Sequence, residues 1–188
     1  MDSELIRYFS PHTREEARLL EGAPLEKETY TQRESFVVEG ARFVPSRQMI
    51  TLRPHTRFTA FPMHRHDYVE IMYMLSGSTR HTMQDGARIT LSAGELLLLN
   101  RHSAHAVERS GEMDIAVNFI IQPAFFDFVP ELIGANNALG GFLLDALRNA
   151  DCEQVVFEIS GALSPVKILP VEGNAFTYLV LPVRFKND

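Results

Sequence analysis

The sequence predicts a mainly β domain followed by a pair of helices, on three observations. From about residue 35 to residue 121, short runs rich in β-branched and aromatic residues recur at regular spacing. Gly, Pro and Asp punctuate them, as turns between strands require. After Pro123 the apolar spacing changes to that of a helix. Strands this short and this evenly spaced form a sandwich or a barrel.

The first element is a short helix in "TREEARLLE", with Ser10 as its cap, Pro11 in its first turn and Gly22 beyond its end. It is charged and weakly apolar, so it reads as a surface helix or as an arm that touches a partner or covers a ligand mouth. The strands follow. "RQMITL" ends at Pro54, and "DYVEIMYML" ends at Ser76-Gly77. "STRHTMQ" meets "ARITL" across Asp85-Gly86, a dipeptide favoured in tight hairpins. "GELLLLN", "AHAVER" and "MDIAVNFII" complete the barrel core.

The helical pair is expected at about residues 123–150, in "AFFDFVPELIG" and "NALGGFLLDALRNA". Leu139, Phe142, Leu143, Ala146 and Leu147 share one face. Such a face packs on the barrel or on a second copy of the chain. "EQVVFEIS" and "AFTYLVLPVRF" read as extended, but the sequence does not place them.

The 188 residues suit one domain, 1–188, and 45% hydrophobic residues suffice to fill its core. A formal net charge of -6 argues against direct nucleic-acid contact by this segment, because phosphates call for a basic face. Cys152 is the single cysteine, so no internal disulfide forms. The start lacks an apolar signal core, and the longest aliphatic run, Leu96 to Leu99, is far too short for a bilayer. A cytoplasmic protein without membrane contact is expected.

The chemistry concentrates in "PMHRHDYVEIMYMLSG". Side chains alternate along a strand, so His64, His66, Tyr68, Glu70, Met72 and Met74 share one face if the segment is extended throughout. That face is expected to point into a cavity. A carboxylate on an apolar face is costly unless it is paired, protonated or bound to a cation. Two neighbouring imidazoles and a metal would meet that need.

The spacing His64, one residue, His66, three residues, Glu70, six residues, Gly77 is similar to the first motif of the cupin superfamily. A second motif follows in altered form as Gly94, Asn100, His102 and His105. The family pattern has Pro at the place of Asn100, Gly at that of His102 and Asn at that of Arg109. It also opens the first motif with Gly, where this chain has Phe58. The resemblance implies a double-stranded β-helix, or jelly-roll barrel. It also implies His64, His66, Glu70 and His105 as ligands of a divalent transition metal such as Zn, Ni, Fe or Mn. His81 and His102 are further candidates for the pocket or its surroundings.

From Pro62 to Phe126 the chain resembles a narrower group, the sensing domains of AraC-type transcription regulators. "HRHDYVEI", "GELLLLNRHSAHAV" and "DIAVNFII" carry the likeness. It implies an effector-sensing and dimerisation domain that binds a small molecule, often a sugar, inside the barrel and forms a homodimer through the helices after Pro123. The effector pocket would comprise His64, His66, Tyr68, Glu70, Met72, His81 and His105. In that family DNA is bound by a separate C-terminal helix-turn-helix domain. No basic recognition helix follows Asp151, so that domain is expected to be absent from this chain. The competing reading is a stand-alone metal-dependent cupin enzyme, a dioxygenase, isomerase or lyase. No acid or base beyond the ligands stands out, so no catalytic residue is assigned.

Overall fold

A computed structural model describes residues 3–126 and the backbone of three further strands, Gln154–Glu158, Val166–Pro170 and Tyr178–Val180. Two helices come first, α1 (Ser3–Phe9) and α2 (Arg14–Leu20). The cap of α2 is Thr13, not Ser10. Its hydroxyl accepts from the Glu16 backbone N–H, and the Glu16 carboxylate accepts from the Thr13 N–H, a reciprocal capping box. Ser10 instead donates its hydroxyl to the Ile6 carbonyl, 2.6 Å away, and so closes α1. Among the described residues no helix is long and apolar enough to cross a membrane.

The strands are β1 (Val37–Val38), β2 (Ile50–Pro54), β3 (Phe61–His66), β4 (Val69–Ser76), β5 (Ser78–Met83), β6 (Arg88–Ser92), β7 (Glu95–Leu99), β8 (His105–Val107) and β9 (Ile115–Ile121). Three more follow, β10 (Gln154–Glu158), β11 (Val166–Pro170) and β12 (Tyr178–Val180). They form a five-stranded sheet in the order β1-β3-β8-β5-β6 and a seven-stranded sheet in the order β12-β11-β10-β7-β4-β9-β2. Two facing sheets in a mainly β chain are the jelly-roll arrangement that the sequence predicts. The stretch that the sequence left unplaced extends the larger sheet, with β10 antiparallel to β7 from Gln154 opposite Leu99 to Glu158 opposite Glu95.

The segment expected as one strand is two. The chain bends at Asp67-Tyr68, so β3 belongs to the smaller sheet and β4 to the larger. Residues 61–76 thus turn a corner of the barrel. The turn after β4 needs Gly77. Its φ is +74°, and a Cβ there would meet the Met113 carbonyl oxygen at 2.8 Å. The hairpin at Asp85-Gly86 forms as expected, with Gly86 at φ +91°.

One end of the interior is dry. Met72, Met74, Leu97, Leu99 and Ala116 of the larger sheet pack on Met83, Ile89 and Leu91 of the smaller. On the outer side of the larger sheet, Val69, Ile121 and Phe126 form another apolar cluster. Both faces of β4 are therefore covered in part, which explains its near-continuous apolar run. Beyond Phe126, the helices expected to residue 150 and their dimer face lie outside the described residues.

The N-terminal segment is fastened to the barrel by a buried ion pair. Arg57 Nε donates to Glu16 Oε1 at 2.8 Å, and both side chains are almost fully buried. Burial alone would raise the Glu16 pKa. The Arg57 hydrogen bond, with backbone N–H bonds from Thr13 and Arg57, outweighs it and holds the carboxyl below its ordinary value. Arg57 also donates to the Glu112 and Ser10 carbonyls, so its guanidinium has few donors to spare. Charges buried with this many partners are tolerable; one left alone is not.

Candidate functional site

The polar end of the interior is built on β3 and β8, where His64 lies directly opposite His105. His66 follows two residues later on the same face. The ring centroids are 4.5 Å apart for His64 and His105, 5.0 Å for His64 and His66, and 5.4 Å for His66 and His105. One nitrogen from each ring lies within 4.8 Å of the others. All three side chains are buried.

Burial lowers the pKa of each of the three rings, so they are neutral at neutral pH. In His64 the proton sits on Nδ1, because that atom faces the Pro62 carbonyl at 2.8 Å and a carbonyl only accepts. The His64 Nε2 lone pair is then free. His66 Nδ1 and His105 Nε2 are buried without a hydrogen-bond partner among the described residues. Buried polar atoms without partners are rare, and a bound ion or ligand is one of the few reasons for them. The donor set thus fits a divalent transition metal: three neutral imidazoles converging from two strands.

Glu70 stands beside this set. Its Oε2 is 3.7 Å from His66 Nε2, and its Oε1 accepts from Asn118 Nδ2 at 2.8 Å. Burial pushes its pKa up to about 7, with Arg53 and Asn118 opposing. A cation in the cavity would draw the carboxyl to the ionised form.

The cavity above the cluster is small. The space in it open to the centres of water-sized spheres is about 40 Å³. That is room for about three waters. Tyr68 and Met72 line it with His64, His66, Glu70 and His105. His81 is buried behind His105 and is absent from the lining. Met74 belongs to the dry core, and His102 is exposed on the turn after β7.

Several lining residues escaped the sequence reading. Arg53, His55 and Thr56 come from the end of β2 and the residues after it, Tyr30 from the N-terminal segment and Asn118 from β9. Only Asn118 left a signal, as a polar residue inside "DIAVNFII", the same kind of anomaly that exposes Glu70. Arg53 lies over the rings of Phe43 and Tyr30, at 4.4 and 4.8 Å from their centroids. Its Nη2 donates to Glu15 Oε2 at 2.8 Å, and the Tyr30 hydroxyl donates to Glu15 Oε1 at 2.6 Å. The charged first helices are therefore more than a solvated surface: Glu15 of α2 holds two residues of the cavity wall.

The family described as the AraC-like ligand binding domain matches residues 48–166, more than half of the chain. Among solved structures, ToxT from Vibrio cholerae with bound unsaturated fatty acid aligns at 14% identity and a TM-score of 0.43, over 60% of this chain and 41% of that one. A second ToxT structure from Vibrio cholerae aligns at 11% identity and 0.43, over 60% and 43%. The DMSP lyase DddQ from Ruegeria pomeroyi DSS-3 aligns at 17% identity and 0.34, over 40% and 39%. The chain spans about two fifths of the length of the ToxT chains it matches. A direct comparison with curated proteins finds no match.

Proposed function

We propose, since the chain belongs to the AraC-like ligand-binding domain family, that it senses a small-molecule effector for a transcription regulator in the cytoplasm. DNA contact would fall to a separate domain, and the helices after Pro123 would join two copies. The observation that carries the reading is the cavity itself. It collects unpartnered histidine nitrogens at its floor and places Arg53, tied to Glu15 of α2, in its wall.

A divalent transition metal held by His64, His66 and His105 would supply a Lewis-acidic anchor for an oxygen atom of the effector. Glu70 would balance its charge from beside the set. Tyr68 and Met72 would give the effector an apolar wall, with His81 supporting His105 from behind. A sugar, or a fatty acid of the kind named for ToxT, exceeds the present cavity. Such an effector would have to widen it, and widening would move the wall that Glu15 holds. Ligand preference for one arrangement is what shifts an equilibrium: a hundredfold preference supplies roughly 2.7 kcal/mol.

The test is a thermal-shift screen of zinc, nickel, manganese, sugars and fatty acids against wild type, His64→Ala and Arg53→Ala. A ligand that stabilises wild type and loses its effect in His64→Ala supports the sensor. Equal shifts in all three proteins would overturn it. The converging imidazoles favour one second reading, a metal-dependent enzyme. Turnover of a screened ligand by metal-loaded wild type, absent in His64→Ala, would select that reading.

A further inference from the structure

His81 is the one buried histidine of the cluster that faces away from the cavity, and its contacts form a chain. The Thr79 hydroxyl lies 3.7 Å from Met72 Sδ, which only accepts, and 3.0 Å from His81 Nε2. With the hydroxyl proton turned to the sulfur, the Thr79 oxygen accepts from His81 Nε2. A neutral ring protonated on Nε2 carries a lone pair on Nδ1. That atom faces His105 Nδ1 at 3.1 Å.

The two rings lie edge to edge. Their planes differ by 9°, and their centroids are 5.3 Å apart. Rings stacked face to face keep their atoms about 3.5 Å or more apart, so nitrogens 3.1 Å apart in near-parallel rings belong to an in-plane hydrogen bond. Two facing lone pairs would repel and two facing N–H groups would collide. One proton therefore lies between the nitrogens, and the proposed ligand role of His105 places it on His105 Nδ1. The remaining His105 nitrogen, Nε2, is the one buried without a partner.

We propose that the Thr79–His81–His105 chain fixes the tautomer of His105, and that His81 is a positioning residue that keeps the His105 Nε2 lone pair turned to the cavity. The chain needs no net gain or loss of protons. It does for His105 what the Pro62 carbonyl does for His64. It also states the class of occupant: an electron-pair acceptor, either a metal cation or a hydrogen-bond donor, and not a bare carboxylate oxygen. The inference rests on the proposed role of His105 in holding a ligand, but its test does not need the effector.

That test is long-range proton–nitrogen NMR on the full chain with nitrogen-15-labelled histidine. In wild type the spectrum should show His105 protonated on Nδ1 and His81 protonated on Nε2. His81→Phe should move the His105 proton to Nε2, in whole or in part, and weaken zinc binding about 10- to 100-fold. His81→Asn offers a carbonyl oxygen near the place of Nδ1 and should restore both. A wild-type His105 protonated on Nε2, or an unchanged His105 tautomer in His81→Phe, would overturn the proposal. The wild-type spectrum decides without any variant having to fold. Failure of wild type to bind zinc bears on the metal reading alone.

Discussion

Met72 and Met74 stand two residues apart on one face of β4, yet they look into different surroundings. Met74 is fully buried among Met83, Leu91, Leu97 and Leu99. Met72 touches the same cluster but also lines the histidine cavity. The dry half satisfies every atom it buries through packing. Among the described residues, the polar half leaves His66 Nδ1, His105 Nε2 and Asn118 Oδ1 without partners. The same sheets therefore carry a half optimised for stability and a half that gives up stability for something to bind. Local departures from good packing of this kind gather at functional sites.

Acid should separate the halves most strongly. Burial lowers the pKa of five histidines at the polar end, to about 4 for His55 and about 3 for His81, with His64, His66 and His105 also depressed. Below 6.5 the unfolded chain binds more protons at these positions than the folded chain, so stability is lost as pH falls. Glu70 acts in the opposite sense: its carboxyl, pushed up to about 7, favours the folded state toward acid. One group does not offset five. Each histidine forfeits roughly 1.4 kcal/mol per pH unit until its folded pKa is reached. Denaturant melts followed by circular dichroism should show stability falling steeply from pH 6.5 to 4.5. A flat profile across that window would remove the buried neutral histidines from the account.

Leu99→Ala tests the dry half. It should cost about 2–5 kcal/mol, the range for deleting a fully buried leucine side chain. Chemical denaturation measures it, and a cost below about 1 kcal/mol would erase the contrast.

His66→Leu tests the polar half and should have the smallest effect on stability. It removes an unpartnered buried nitrogen and replaces the ring with an apolar group. The expected change is within about 1 kcal/mol, in either direction, because no strong hydrogen bond is lost. Zinc titration of the same variant should nevertheless show a loss of affinity. A variant that unfolds, or one that binds zinc as tightly as wild type, would break the comparison.

Much of the barrel was legible because strand periodicity and turn residues act locally. The parity that aligned His64, His66 and Glu70 survived even though their strand is broken. Both sheets turn their inner faces to one interior, so the alternation carries through the corner. His105 was accessible through its spacing from Gly94 and Asn100. His81 had only a weak signal, since its partners Thr79 and His105 meet through sheet pairing. Arg53, His55 and Thr56 reach the cavity from the end of β2 and the residues after it, where the sequence shows nothing anomalous. The cap of α2 was misplaced because Ser10 and Thr13 both fit a cap, and the deciding feature is the Glu16 carboxylate returning to the Thr13 N–H.

The corner at Asp67-Tyr68 has a mechanical meaning. His64 and His66 precede it on the smaller sheet, and Glu70 follows it on the larger, where it pairs with Leu99 and Ile120. Six peptide units connect His64 to Glu70, so a load applied at the histidines would pass to the second sheet along the backbone itself. Side chains can relax a push by changing rotamer; a peptide chain under tension has no such slack. An occupant of the cavity would therefore act as a shim between two plates joined at a fold, and its thickness would set the angle at which they meet.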